Sequence, residues 1–197
     1  MINSVTNNKI NFTSTRLYKV KINKLMPDNT YMSVDAYFSQ LKNNATNDKA
    51  IQKLAETWNW SDYLTSIVRS YKSNSHDTFC IETIGKEPLH QRIKAIMSRA
   101  DLSQTNEGND MLASYISAAP NVKYNPNNAK REFTDVGKAS IYGTVRLTKD
   151  KNLNRLLIKS ENDKFFDAIG ITKSVYEDGE DFRFLAKEDF DEFLKKC

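Results

Sequence analysis

The residues that staple, bend or ligate a chain are scarce in this sequence. Two cysteines, Cys80 and Cys197, and two histidines, His76 and His90, are spread over 197 residues. Their spacing matches no zinc set and no disulfide framework, so no metal is expected. Cys80, within Thr78-Phe-Cys-Ile, reads as a small buried apolar residue rather than a nucleophile. With four prolines and six glycines the composition is neither collagen-like nor low-complexity. No apolar run approaches the roughly 18 residues that a membrane-spanning helix needs. Residues 1–15 are rich in Asn, Ser and Thr and lack the continuous apolar core of a secretory signal, which makes the cytoplasm the expected compartment. Charge of one sign is also lacking as a block: 29 basic and 25 acidic residues are scattered along the chain, for a net charge of +4. A small ligand with several phosphates satisfies that surplus as readily as nucleic acid does.

What is present is a globular composition, 39% hydrophobic and 27% charged. It suits a polar arm, 1–15, followed by one domain over 16–197. Arg16 to Ile22 alternates polar and apolar residues as a half-buried strand does. From Ser33 to Tyr71 the pattern reads as two or three helices, with Ser33 as a cap and Val34, Tyr37, Phe38 and Leu41 on one face. Ile51, Leu54, Ala55 and Trp58 repeat that spacing after an Asn-rich break. Three strand-like runs follow, Thr78 to Ile84, Arg92 to Ser98 and Met111 to Pro120, separated by turn-rich stretches that imply an antiparallel meander. Pro120 cannot donate to a ladder, so pairing should stop or bulge there.

The next segment, Glu132 to Leu147, reads as a turn opening a helix of about four turns, broken by Asn152 to Asn154. Arg155 to Ser160 is a strand, Asp163 to Gly170 a short helix closed by Gly170, and Ile171 to Tyr176 with Phe182 to Ala186 a hairpin. An acid-started helix, Lys187 to Lys195, ends the chain. A helix start offers several backbone N–H groups without an intrahelical partner, and a turn that aims them at one point suits a diphosphate. Around Thr134-Asp-Val-Gly-Lys-Ala, Gly137 removes a blocking side chain, Ala139 keeps the next turn slim, and Lys138 and Arg131 add full positive charge. A purely structural helix start accounts for the same residues.

Three pieces together resemble the GNAT superfamily of acyl-CoA-dependent N-acyltransferases: Tyr115-Ile-Ser-Ala-Ala-Pro-Asn, Thr134-Asp-Val-Gly-Lys-Ala, and Ser160-Glu-Asn-Asp-Lys-Phe-Phe-Asp-Ala-Ile-Gly-Ile. The resemblance covers roughly 16–186 and marks a divergent member. It implies an α/β fold of the α+β type, with a mixed, mostly antiparallel central sheet, a βαβ crossover, helices on both faces and splayed central strands. It implies acetyl-CoA, or another acyl-CoA, bound by Ala118, Ala119, Arg131, Thr134, Val136, Gly137, Lys138, Ala139, Asn162 and Phe166. The unpaired backbone near Ala118 and Ala119 would bond the amides of the pantetheine arm, or an edge bulge at Pro120 would be satisfied by water.

The implied activity is transfer of an acetyl group to a primary amine, on a small molecule or a peptide, by direct attack without a covalent enzyme intermediate. Departures from the family pattern stand beside it. Thr134 replaces the usual Gln or Arg, about ten residues separate Pro120 from Arg131, and Phe166 occupies the place of the Tyr held to protonate the departing thiolate. Tyr142 is a candidate substitute acid, Glu82 and Glu107 (or Asp110) are candidate bases working through water, and His90 is a further base outside the expected site. A silent CoA-binding protein of the same fold and an acyltransferase acting on charged transfer RNA are the alternatives. Nucleic acid is not the expected partner, and a homodimer is compatible with the chain.

Overall fold

The structure is a computed structural model, and it describes residues 14–41, 77–83, 97–119, 122 and 131–196. The chain forms strands β1 (Ser14–Leu25), β2 (Tyr31–Leu41), β3 (Asp77–Thr83), β4 (Ser98–Gln104), β5 (Asp110–Ala118) and β6 (Phe133–Thr134). Helix α1 (Val136–Asp150) follows, then β7 (Arg155–Lys159), α2 (Asp163–Ala168), β8 (Ser174–Glu177) and β9 (Glu180–Ala186). A 3-10 turn (Lys187–Asp189) leads into α3 (Phe190–Lys195). Among the described residues no helix is long and apolar enough to cross a membrane.

The strands make one nine-stranded sheet in the order β6-β1-β2-β3-β4-β5-β7-β9-β8. Among the described residues only β5 and β7 pair in parallel; every other pairing is antiparallel. A parallel pair needs a crossover long enough to return the chain to the same end. Helix α1 is that crossover, and it lies on one sheet face with α3 packed beside it. The mixed sheet with its crossover is the fold class that the sequence implies.

The strand β2 replaces the first of the expected helices. Val34, Ala36 and Phe38 satisfy a period of two as well as they satisfy a helix, and they stand opposite Ile22, Val20 and Tyr18 of β1. Twelve residues of β1 and eleven of β2 form one long hairpin, so pairing with a neighbour overrides the local spacing. Its turn is written in Pro27-Asp-Asn: Asn29 has a φ of 64°, and Asp28 accepts bonds from the Thr30 amide at 3.0 Å and hydroxyl at 2.7 Å. The helices expected over 51–71 lie outside the described residues, and so does His90.

The middle meander strand is also displaced. The described strand runs Ser98–Gln104, past the end of the expected Arg92 to Ser98; of the expected run only Met97 and Ser98 are among the described residues. Ala100 and Leu102 face α1, while Arg99 and Asp101 face the other way and are nevertheless buried. Their side chains form an ion pair, with Arg99 Nε donating to Asp101 Oδ1 at 2.9 Å and Thr78 Oγ1 donating to the same oxygen at 3.0 Å. A buried charge pair hides a strand from any search for apolar alternation.

The core is the layer between α1 and the sheet. Phe38 and Ile141 are fully buried in it, and Phe38 stacks on Phe79 with ring centroids 5.2 Å apart. Gly143 makes this contact possible. A Cβ there would stand 2.2 Å from Phe38 Cγ, so α1 sits closer to β2 than any side chain at this position permits. Ser98 Oγ accepts from the Ile81 amide at 3.0 Å and lies 3.4 Å from Ser140 Oγ of α1, fixing the helix against β3 and β4.

Candidate active site

The parallel pairing of β5 with β7 covers only Asp110 to Ala113 against Arg155 to Ile158. Beyond it β5 continues to Ala118, but β7 ends at Lys159 and the chain turns into α2. The two strands part, and a cleft of about 650 Å³ opens between the half of β5 that β7 does not pair with, the start of α1 and helix α2. The backbone edge of residues 114–118 is thus available along one wall, where an extended amide-bearing chain could add to the sheet.

The start of α1 closes one end of the cleft. Its first intrahelical bond runs from the Ala139 amide to the Asp135 carbonyl at 2.8 Å. The amides of Val136, Gly137 and Lys138 precede it and have no intrahelical acceptor, so their partial positive charge is directed outward. Asp135 has a φ of 63° and makes no cap to the helix; its carboxylate instead accepts a 2.5 Å bond from Asn23 Nδ2. With Lys138 and Arg131 on the cleft wall, this end suits a doubly charged phosphate group. Gly137 carries a packing role as well: a Cβ there would meet Phe165 Cζ at 3.3 Å.

Helix α2 forms the opposite wall. Asn162 caps it by accepting from the Phe165 amide at 3.2 Å, and Gly170, at a φ of 88°, lets the chain turn away behind it. The cap presents Phe165 and Phe166, in edge contact at a centroid distance of 5.2 Å, to the cleft.

Of the cofactor residues expected from the sequence, Ala118, Arg131, Val136, Gly137, Lys138, Asn162 and Phe166 come together around this cleft. Three do not line it. Thr134 is taken up in β6, paired with Asn23 of β1. Ala119 is fully buried, its amide bonded to the Met97 carbonyl at 2.7 Å. Ala139 is turned toward β1, where it lines a separate hollow of about 180 Å³ with Lys19, Lys21, Lys138 and Tyr142.

The expected acid and bases that fall among the described residues lie elsewhere. Tyr142 belongs to that second hollow. Glu107 is exposed in the β4–β5 turn, beside the start of β5, whereas the cleft is at the strand's other end. Asp110 is committed to Arg155, which reaches it through Nε at 3.1 Å and Nη2 at 2.7 Å. Glu82 is buried on β3, accepting from Ser39 Oγ at 2.8 Å and Arg16 Nε at 3.2 Å. Two strand spacings, roughly 9–10 Å, separate β3 from β5. Burial pushes the Cys80 thiol well up, as befits an inert core residue rather than a nucleophile.

Tyr115, Phe165, Lys159 and Glu161, to which the sequence alone assigns no site role, also line the cleft. The signal for Tyr115 was its place in the motif of the diverging strand; Phe165 was visible as half of a Phe-Phe pair in α2.

No family model and no curated protein sequence matches the chain. Solved structures do. AtaT complexed with acetyl-methionyl-tRNAfMet superposes with a TM-score of 0.53 at 12% identity, over 81% of this chain and 99% of that one. A putative acetyltransferase from Exiguobacterium sp. gives 0.49 at 12% identity over 81% and 98%. Tetrahymena GCN5 gives 0.43 at 10% over 85% and 96%. The presence of a transfer RNA complex among them leaves the expectation that nucleic acid is not a partner without support. The chain has the fold of the GNAT acetyltransferases.

Proposed function

We propose that this chain transfers an acyl group, acetyl in the first instance, from acyl-CoA to a primary amine. One observation carries the reading: the edge of β5 left by β7 and the outward amides of α1 meet in a single cleft, so one wall offers strand-like bonds and one end offers an anion site. The amides of 136–138, with Lys138 and Arg131, would hold the diphosphate. Residues 114–118 would hold the amide-bearing arm, and Phe165 and Phe166 would keep water from it. The bound group supplies an acyl carbon activated as a thioester. The chain contributes alignment of that carbon with the amine, which in well-oriented systems accounts for about 7–11 kcal/mol of barrier reduction. Phe166 has no proton to give, so any acid serving the departing sulfur is another group, and a thiolate can also depart unprotonated.

Thermal unfolding with and without acetyl-CoA tests the reading. A ligand at a hundred times its dissociation constant stabilises the folded state by about 2.7 kcal/mol, a shift of roughly 5–10 °C for a chain of this size. Millimolar acetyl-CoA without a shift would overturn it. A shift without CoA release on any amine of a broad panel would leave a binding protein of the same fold.

A second reading concerns the acceptor: the amine could be that of an aminoacyl group on transfer RNA. AtaT, complexed with acetyl-methionyl-tRNAfMet, supports it, as do Lys19, Lys21 and Lys138 around the hollow beside α1. Phosphate contacts make RNA binding fall steeply with salt. Binding that is absent, or indifferent to salt, would remove this reading and leave acyl transfer to a smaller amine.

A further inference from the structure

The ladder between β4 and β5 is interrupted. Ala113 stands opposite Leu102, yet Tyr115 stands opposite Asp101, so Ser114 is an extra residue on β5 with no ladder partner, its hydroxyl donating to the Asp101 carbonyl at 3.4 Å. Such a bulge re-aims the side chains that follow it. Without it Tyr115 would share a face with Ala113, which is buried with Leu102 on the α1 side. With it, Tyr115 joins Asp101 and Arg99 on the opposite face, and the Arg99 guanidinium lies 5.0 Å from the centre of its ring.

The bulge falls directly after Ala113↔Ile158, the last paired position of β5 and β7. Tyr115 is therefore carried to the vertex where the strands part, and it lines the cleft there. With a diphosphate held at the start of α1, an arm laid along β5 from Ala118 toward Ser114 would bring its thioester to this vertex. Phe166 faces the same cleft and brings only carbon.

We propose that the Tyr115 hydroxyl is the proton donor to the departing sulfur. The inference rests on the acyl-transfer reading above. The amine nitrogen bonds to the thioester carbonyl carbon, the C–S bond breaks with its electron pair on sulfur, and Tyr115 Oη passes its proton to that sulfur. The amine's surplus proton goes to water, and water restores the phenol. Arg99 beneath the ring stabilises the transient phenolate, and Asp101, bonded to Arg99, keeps the guanidinium in place. Lys159 and Glu161 are the charged groups across the cleft.

Tyr115→Phe removes the hydroxyl and keeps the ring that packs on Arg99, so the fold is retained. The probes are CoA in its thiol form and desulfo-CoA, titrated by calorimetry near pH 9, between the usual ionisation of a thiol at about 8.5 and of a phenol at about 10. A hydrogen bond to a charged acceptor corresponds to roughly ten- to hundredfold in affinity. The parent should prefer CoA by that factor, and Tyr115→Phe should bind both alike. With an active amine, kcat for Tyr115→Phe should fall by about 10²- to 10⁴-fold at unchanged KM for acetyl-CoA. Tyr176→Phe, on the exposed edge strand, should change neither quantity. Should Tyr115→Phe keep the parent's preference for CoA, the proposal is overturned while the acyl-transfer reading stands. Should the parent bind neither probe, the acyl-transfer reading fails and takes the proposal with it.

Discussion

Replacing Gly143 with alanine separates two forces of opposite sign. Helix propensity alone favours alanine by about 1 kcal/mol in the interior of a helix. Packing opposes it: the new Cβ would lie 2.2 Å from Phe38 Cγ, 2.4 Å from Cδ2 and 2.7 Å from Cβ. Phe38 has no room to yield. It is 0% exposed and stacked between Phe79 at 5.2 Å and Tyr18 at 6.1 Å, so the helix itself must move off the sheet. Overpacking of this kind costs about 1–3 kcal/mol, and a contact against a ring pinned on two sides belongs at the upper end. The expected net loss is about 2 kcal/mol, roughly 4–8 °C in Tm for a chain of this size. Urea unfolding should show a lower midpoint at unchanged slope. In a Phe38→Ala background the sign should reverse, because the propensity gain remains and the clash is gone. A Gly143→Ala protein as stable as the parent would refute the claim that close approach to Phe38 fixes the height of α1.

Three further outcomes follow from named groups. Asp135→Asn keeps a residue tolerant of the positive φ and removes a negative charge from the start of α1. It should tighten acetyl-CoA by roughly fivefold in calorimetry, corresponding to about 1 kcal/mol of relieved repulsion, and unchanged affinity would place the phosphates elsewhere. Asp101→Ala strips Arg99, whose side chain is 5% exposed, of its carboxylate and should cost about 3–5 kcal/mol on denaturant unfolding; a loss below 1 kcal/mol would mean the pair is not buried in solution. The Tyr18 phenol is held above its ordinary value by burial and by its 2.8 Å bond to Asp150. A raised acid of this kind lends stability that is complete below the unfolded phenol's ionisation, about 10, and is lost as pH rises above it. Alkaline unfolding should therefore steepen above about pH 10 in the parent and flatten in Tyr18→Phe; parallel curves would contradict the burial of this group.

From α1 onward the order of elements was legible because the boundaries carry their own chemistry: the glycine turn before α1, Gly170 closing α2, and Asp178-Gly179 turning the last hairpin. The anion end of the cleft was legible for the same reason, since backbone at a helix start needs no particular side chain. Three strands were not, the shortest being β6, whose two residues are too few to show a period. Residues 34–38 fit both periods, and only the pairing with β1 decides between them. Ser98–Gln104 buries an arginine and an aspartate against each other, which the hydropathy of single residues cannot show. The side-chain half of the site was the least legible. Glu82, Glu107 and Tyr142 were sought by residue type near the expected strands, but which wall a side chain faces depends on the sheet's register. A single extra residue at Ser114 sends Tyr115 to the other face, and nothing in the local sequence marks that bulge.

In the proposed function the cleft between β5 and α2 holds acyl-CoA with its diphosphate on the amides of α1. Calorimetric titration of acetyl-CoA into the parent and into Gly137→Glu tests it most directly. The variant places bulk and negative charge at the second of those amides, and circular dichroism establishes that it is folded. Saturable binding to the parent and none to folded Gly137→Glu is the result predicted; equal affinity for both would contradict the account.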